Sequence, residues 1–154
     1  MVNSIRTAAR ALMIRDGKIL LVKMKDHRGV FYILPGGGQK AGETLQQAVE
    51  RECSEETGCK IKAGKLAYIR EYIGKNHTFS KSHRRFHQLE AVFHCEIVCD
   101  QNFGLGCEHD KKQVGLTWMP LEDIPNTELY PKQVRELFKK GQIETEDLYL
   151  GDVN

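Results

Sequence analysis

The residues best suited to chemistry are four glutamates in one short stretch, Glu50, Glu52, Glu55 and Glu56, which follow the glycines Gly36, Gly37 and Gly38. Leu45, Ala48, Val49 and Cys53 recur at helical spacing, Thr44 is a fitting N-cap and Gly58 a fitting stop, so the spacing predicts a helix between them. With Leu45 at zero, Ala48 lies at about 300° and Val49 at about 40°, which defines the core-facing side. Glu52 falls at about 340°, Glu55 at about 280° and Glu56 at about 20°, all on that side. Gln46, Gln47, Glu50, Ser54 and Thr57 occupy the opposite arc and are expected to be solvated.

Three inward carboxylates repel one another and resist burial unless a counter-charge neutralises them. A divalent cation does this most directly, and an all-oxygen ligand set suits Mg²⁺ or Mn²⁺. The alternative is an acidic helix end that only solubilises the surface; the azimuths argue for the metal. The glycine run can present carbonyls to a cation or amides to a phosphate. It is not a P-loop, because no Lys-Ser or Lys-Thr follows at the required spacing, and it lacks the G-x-G-x-x-G dinucleotide pattern.

Taken together, Gly37, five residues, Glu43, seven residues, Arg51-Glu52-Cys53, one residue, Glu55-Glu56, one residue, Gly58-Cys59 resembles the complete Nudix box, with cysteine at both positions where the family carries a bulky aliphatic residue. Leu34-Pro35-Gly36 ahead of it is also typical. The resemblance implies an α/β fold, a Nudix-like α/β/α sandwich with a mixed β-sheet. It implies hydrolysis of the diphosphate linkage of a nucleoside diphosphate derivative (nucleoside triphosphate, oxidised nucleotide, ADP-ribose or nucleotide sugar) with Mg²⁺ or Mn²⁺. By the same resemblance Glu52, Glu55 and Glu56 hold the metals, the Gly36 or Gly37 carbonyl adds a ligand, and Arg51 with Glu43 braces the helix and orients the carboxylates. A general base or further ligand comes from a later loop; Glu108 is the choice and Glu90, inside a strand, the competitor. A nucleotide-sensing or regulatory module that keeps the fold without turnover is the alternative, and the intact glutamates argue against it.

Subfamily markers give negative information. No proline lies between Pro35 and Pro120, so the proline that follows the box in ADP-ribose hydrolases is missing. Tyr68 and Tyr72 stand too close to the box for the diadenosine polyphosphate type. Outside the box, segment 75–87 is basic, and its Arg84 and Arg85 are the candidate substrate-binding residues, against the plainer reading of a solvated loop. Phe31, Tyr32, Tyr68, Tyr72 and Phe86 either stack on a base or pack in the core.

These residues need elements to hold them. Apolar runs 7–14 and 18–25 flank Arg15-Asp16-Gly17, which predicts an opening hairpin. Segment 30–34 reads as extended, and Pro35 with the glycines is expected to end regular pairing. Segments 65–73, 86–98 and 114–119 read as strands. Pro131 is placed to open a last helix with Val134, Leu137 and Phe138 as its stripe and Gly141 as its stop, leaving an acidic, unassigned tail at 142–154.

At 154 residues, 40% hydrophobic and 29% charged, the chain is expected to form a single domain over 1–154. Lys plus Arg less Asp plus Glu, 23 − 21, gives +2, too near neutral to announce a nucleic-acid or membrane-surface partner. Sequence-specific nucleic-acid binding and a membrane role are not expected; the partner is a nucleotide or nucleotide conjugate, and a homodimer is left open. The five cysteines, without zinc-ribbon spacing, read as reduced thiols. No apolar run approaches the roughly 20 residues of a membrane span, and no export signal opens the chain, so a cytoplasmic location is expected.

Overall fold

In the computed structural model of the chain, residues 4–77, 80–104, 111–139 and 146–154 are described. The period of two in strand β1 (Arg6–Leu12) puts Thr7, Ala9 and Ala11 on one face and Arg6, Ala8, Arg10 and Leu12 on the other. Ala9 and Ala11 pack with Ala48, Val49 and Cys53 of helix α1 (Leu45–Thr57), the alanines leaving room for the helix to lie close. Leu12 packs on the opposite side with Tyr68, Val92, Ile124 and Val134.

The first sheet is mixed and runs β5 (Gly36–Gly38), β1, β7 (His87–Cys99), β6 (Lys60–Ile73), β9 (Tyr149–Asp152). β1 is parallel to β7 and antiparallel to β5. The second sheet is antiparallel and centred on β3 (Lys18–Asp26), which pairs with β2 (Ile14–Arg15), β4 (Gly29–Ile33) and β8 (Gln113–Pro120). A short helix α2 (Ser80–His83) precedes β7, while the 3-10 segment Leu121–Asn126 and helix α3 (Lys132–Lys139) cover the face away from α1. Helices therefore lie on both sides of a mixed sheet, as the α/β reading requires. Among the described residues no helix is long and apolar enough to cross a membrane.

Helix α1 is bounded as its sequence predicts. Thr44 accepts from Gln47 N while the Gln47 side chain accepts from Thr44 N, a capping box, and Gly58 ends the helix at φ 72°. Cys53 and Cys59 are fully buried and fill the two aliphatic positions as small hydrophobes. Thr57 is a correction: expected on the solvated arc, it is buried, because its Oγ1 donates to Cys53 O at 2.6 Å and accepts from Cys59 N at 3.1 Å as the chain turns back over it.

The opening hairpin is only two residue pairs long, Ile14↔Ile19 and Arg15↔Lys18, since β1 is claimed by its parallel ladder with β7. The glycines do not end pairing; they form β5, from Ala8↔Gly38 to Arg10↔Gly36. Only glycine fits at 36, where φ is 140° and an added Cβ would lie 2.2 Å from Ala9 O. The tail supplies an edge strand, β9, and α3 starts one residue after Pro131. Gly141 lies outside the described residues.

Candidate active site

The acidic helix is organised by one guanidinium. Arg51 donates from Nε to Glu43 Oε1 and from Nη2 to Glu43 Oε2 at 3.1 Å and Gly38 O at 2.9 Å. Its Nη1 donates to Glu52 Oε1 at 3.0 Å and lies 3.3 Å from Glu55 Oε2. The Arg51 hydrogen bond, with help from Lys40 N, holds the Glu43 carboxyl down at about 2, so Glu43 stays an anion and keeps the arginine in place. A bidentate fork of this kind fixes orientation in a way that a lone i,i+4 pair does not.

Glu56 is the most buried of the cluster, at 6% exposure. Gly36 N donates to its Oε2 and Gln113 Nε2 to its Oε1, both at 3.0 Å. Burial pushes its pKa up, opposed by the Gly36 amide, the charge on Arg10 and the Gln113 bond. The ladder explains the Gly36 contact. Ala11 N donates to Pro35 O and Gln39 N to Thr7 O, so the groups of Gly37 turn toward β1 while those of Gly36 and Gly38 turn outward. The Gly36 carbonyl accepts a long bond from Arg10 Nη1 at 3.3 Å, and the Gly38 carbonyl accepts from Arg51 Nη2 at 2.9 Å.

The donor set suits a hard divalent cation. Glu52, Glu55 and Glu56 share one side of α1, and an added Cβ at Gly37 would lie 2.6 Å from Glu52 Cδ and Oε2, so the glycine leaves room around that carboxylate. Among the described residues no three His, Cys, Asp or Glu side chains form a ready-made ligand cluster, because Arg51 holds Glu52 and Glu55 while Gly36 and Gln113 hold Glu56. Gly37→Ala tests the cradle. The Cβ meets only the end of a flexible side chain, so thermal stability should stay near wild type, while turnover falls about 10²-fold through displacement of Glu52. Gly36→Ala, which clashes with backbone, should instead lose stability; the two are compared by thermal unfolding and kinetics.

Beside the cluster lies a cleft of about 540 Å³ whose lining includes Arg10, Arg70, Glu90, Tyr72, Phe31 and Tyr130. Glu90 is 1% exposed and accepts from Arg70 Nε and Arg10 Nε, each at 2.8 Å, and from Gln88 Nε2 at 3.0 Å. Burial alone would raise its pKa, but the two arginines outweigh it and hold the carboxyl at about 2. Glu90 is thus an anion locked between cations, poorly suited to the general-base role for which it competed. Glu108 lies outside the described residues.

Arg84 and Arg85 are exposed and do not line the cleft. Phe86 N bonds to His83 O at 2.8 Å, so the turn sends residues 84 and 85 outward and leaves His83 and Phe86 facing the cleft. Sequence reading missed Arg10, Arg70 and Gln113. The arginines carried a signal, a charge in mid-strand among apolar neighbours; Gln113, ahead of an apolar run, carried none.

An acidic helix held by a single arginine against a glycine edge strand, beside an arginine-floored cleft, defines a class of α/β protein. The NUDIX domain pattern matches residues 5–140, and the chain belongs to the NUDIX family. A 56-residue segment is 46% identical to the nucleoside triphosphatase NudI of Escherichia coli, covering 34% of this chain and 40% of that protein, so the match spans less than half the length of that curated relative. Among solved structures, a NUDIX hydrolase from Nitrosomonas europaea superposes with a TM-score of 0.70 at 21% identity, over 93% of this chain and 94% of that one. An ADP-ribose pyrophosphatase from Streptococcus suis gives 0.62 at 20%, over 97% and 100%. These likenesses show the fold.

Proposed function

We propose that the protein hydrolyses the diphosphate linkage of a nucleoside diphosphate derivative, using Mg²⁺ or Mn²⁺. The observation that carries this reading is the Arg51 network, which ties Glu43, Glu52, Glu55 and the Gly38 carbonyl to one guanidinium. A helix that merely solubilised a surface would have no use for it. Glu52, Glu55 and Glu56 would hold the cation, with the Gly36 carbonyl, whose bond from Arg10 is long, as a further donor. When bound, the cation supplies positive charge against the diphosphate and lowers the pKa of water.

The remaining work falls to the chain. Arg51 and Glu43 keep the carboxylates from rotating, so their repulsion is absorbed before substrate arrives. Arg6, Arg10, Arg28, Arg70 and Lys112 line the cleft against the carboxylates of Asp26, Glu90 and Glu128, an excess of positive charge that favours an anionic substrate. As the water oxygen bonds to phosphorus and the bridging P–O bond breaks, the water proton passes to a base, a role assigned to Glu108 on sequence grounds.

The test is a panel of nucleoside triphosphates, oxidised nucleotides, ADP-ribose and nucleotide sugars with Mg²⁺ or Mn²⁺, followed by phosphate-bearing products. The name of the NudI relative puts nucleoside triphosphates first in that panel. Metal-dependent release of a nucleoside monophosphate supports the proposal; binding across the panel without turnover overturns it in favour of a sensor.

A further inference from the structure

Strand β8 carries a bulge where it meets β3: Lys23 pairs with Gly115, but the next residue, Met24, pairs with Gln113. Val114 is the residue left over. Leu116 and Trp118 pack against the α1 cluster, and strict alternation would send Val114 to that same side. Instead Val114 is 48% exposed, and Gln113, 7% exposed, reaches Glu56 on α1. The bulge substitutes a buried amide for a valine at the acidic helix, and bulges that re-aim one side chain in this way are common beside active sites.

Only half of that amide is used. Nε2 donates to Glu56 Oε1 at 3.0 Å, while Oε1 is buried and has no hydrogen-bond partner among the described residues. Buried acceptors are rarely left unmade, and a methionine or leucine would fill the same space without that cost. Support of Glu56 accounts for the nitrogen and leaves the oxygen unexplained. A side-chain amide oxygen is a good ligand for a hard divalent cation, which takes neutral carbonyls alongside carboxylates. The carboxylates of α1 are already shared with Arg51, Gly36 and Gln113, so a cation held by them would be completed by oxygen from outside the helix.

We propose that Gln113 is a further member of the metal site: its Nε2 positions Glu56, and its Oε1 is an oxygen donor to the divalent cation. This rests on the metal-dependent reading above. Both groups sit on one amide carbon, so Nε2 keeps its bond to Glu56 while the unpartnered Oε1 stays free for the cation that Glu56 would hold, with no movement of the backbone.

The test measures Mn²⁺ binding to the full chain by electron paramagnetic resonance titration, together with Mn²⁺-dependent thermal stabilisation, in wild type, Gln113→Leu and Gln113→Glu. Gln113→Leu is expected to weaken Mn²⁺ about tenfold or more. Gln113→Glu sets a carboxylate against Glu56, so it is expected to melt below wild type without metal and to gain more from Mn²⁺ than wild type does. If wild type binds Mn²⁺ and Gln113→Leu binds it equally well, Gln113 is a structural partner of Glu56 alone and this proposal falls. Gln113→Glu gaining no more than wild type overturns it too, even if Gln113→Leu fails to fold. If wild type itself binds no Mn²⁺, the metal-dependent reading falls and takes this proposal with it.

Discussion

Glu52→Gln is expected to leave the fold intact and to lower kcat by on the order of 10²–10³, the range for loss of one electrostatic stabiliser from an active site. The expectation comes from what the substitution keeps. Glutamine retains Oε1, so the bond from Arg51 Nη1, 3.0 Å in the structure, survives, and the shape that Gly37 accommodates hardly changes. Only the negative charge goes. If Glu52 merely belonged to a brace around Arg51, kinetics and stability would both stay near wild type. Steady-state kinetics on the best substrate of the panel, beside a thermal melt, separates the two; unchanged kcat removes Glu52 from the catalytic machinery.

The largest effect on stability is expected at Glu90. Truncation to alanine leaves Arg10 and Arg70 buried without their shared anion, and breaking a buried pair from one side costs about 3–5 kcal/mol. For a chain of this length that is a fall in Tm of about 10 °C. The same carboxylate makes stability depend on acid. Its folded pKa, about 2, is depressed below the ordinary 4.5, so its contribution is present above the unfolded pKa and is lost as pH falls from about 4.5 toward 2. Glu43 and Asp26 are also held at about 2, through hydrogen bonds from Arg51 and Arg28 respectively, and titrate in the same window. The difference between wild type and Glu90→Gln isolates Glu90: the variant's Tm should fall less steeply between pH 4.5 and 2. Parallel curves would show that Glu90 carries no linked proton.

The acidic helix was legible because helix geometry is local. Thr44, Gly58 and the 3.6-residue period give its bounds, and the same period puts Glu52, Glu55 and Glu56 on one side without knowledge of any neighbour. Thr57 escaped because its burial depends on where the chain goes after Gly58, with Gly104 N bonding back to its carbonyl at 3.0 Å. The glycines look like a break along the chain for a similar reason. Glycine is a poor strand former by propensity, and only the approach of β1 and α1, which leave no space for a side chain, makes Gly36–Gly38 a strand.

Arg84 and Arg85 show the limit from the other direction. The basic segment touches the cleft, yet a single turn decides that His83 and Phe86 face it while the arginines between them face out. Arg10 and Arg70, both in the cleft wall, lie 60 residues apart in the chain. They converge on Glu90 only because β1 pairs with β7 and β7 with β6.

What the sequence determined by itself was the placement of the glutamates along one side of one helix, where spacing along the chain converts directly into spacing in space. The tertiary structure decided the rest: which arginines floor the cleft, that Glu90 is a locked anion, and that a bulge delivers Gln113 to Glu56. Those contacts join elements distant in sequence. Their register is set by the burial of whole faces, and no local pattern of residue types encodes it.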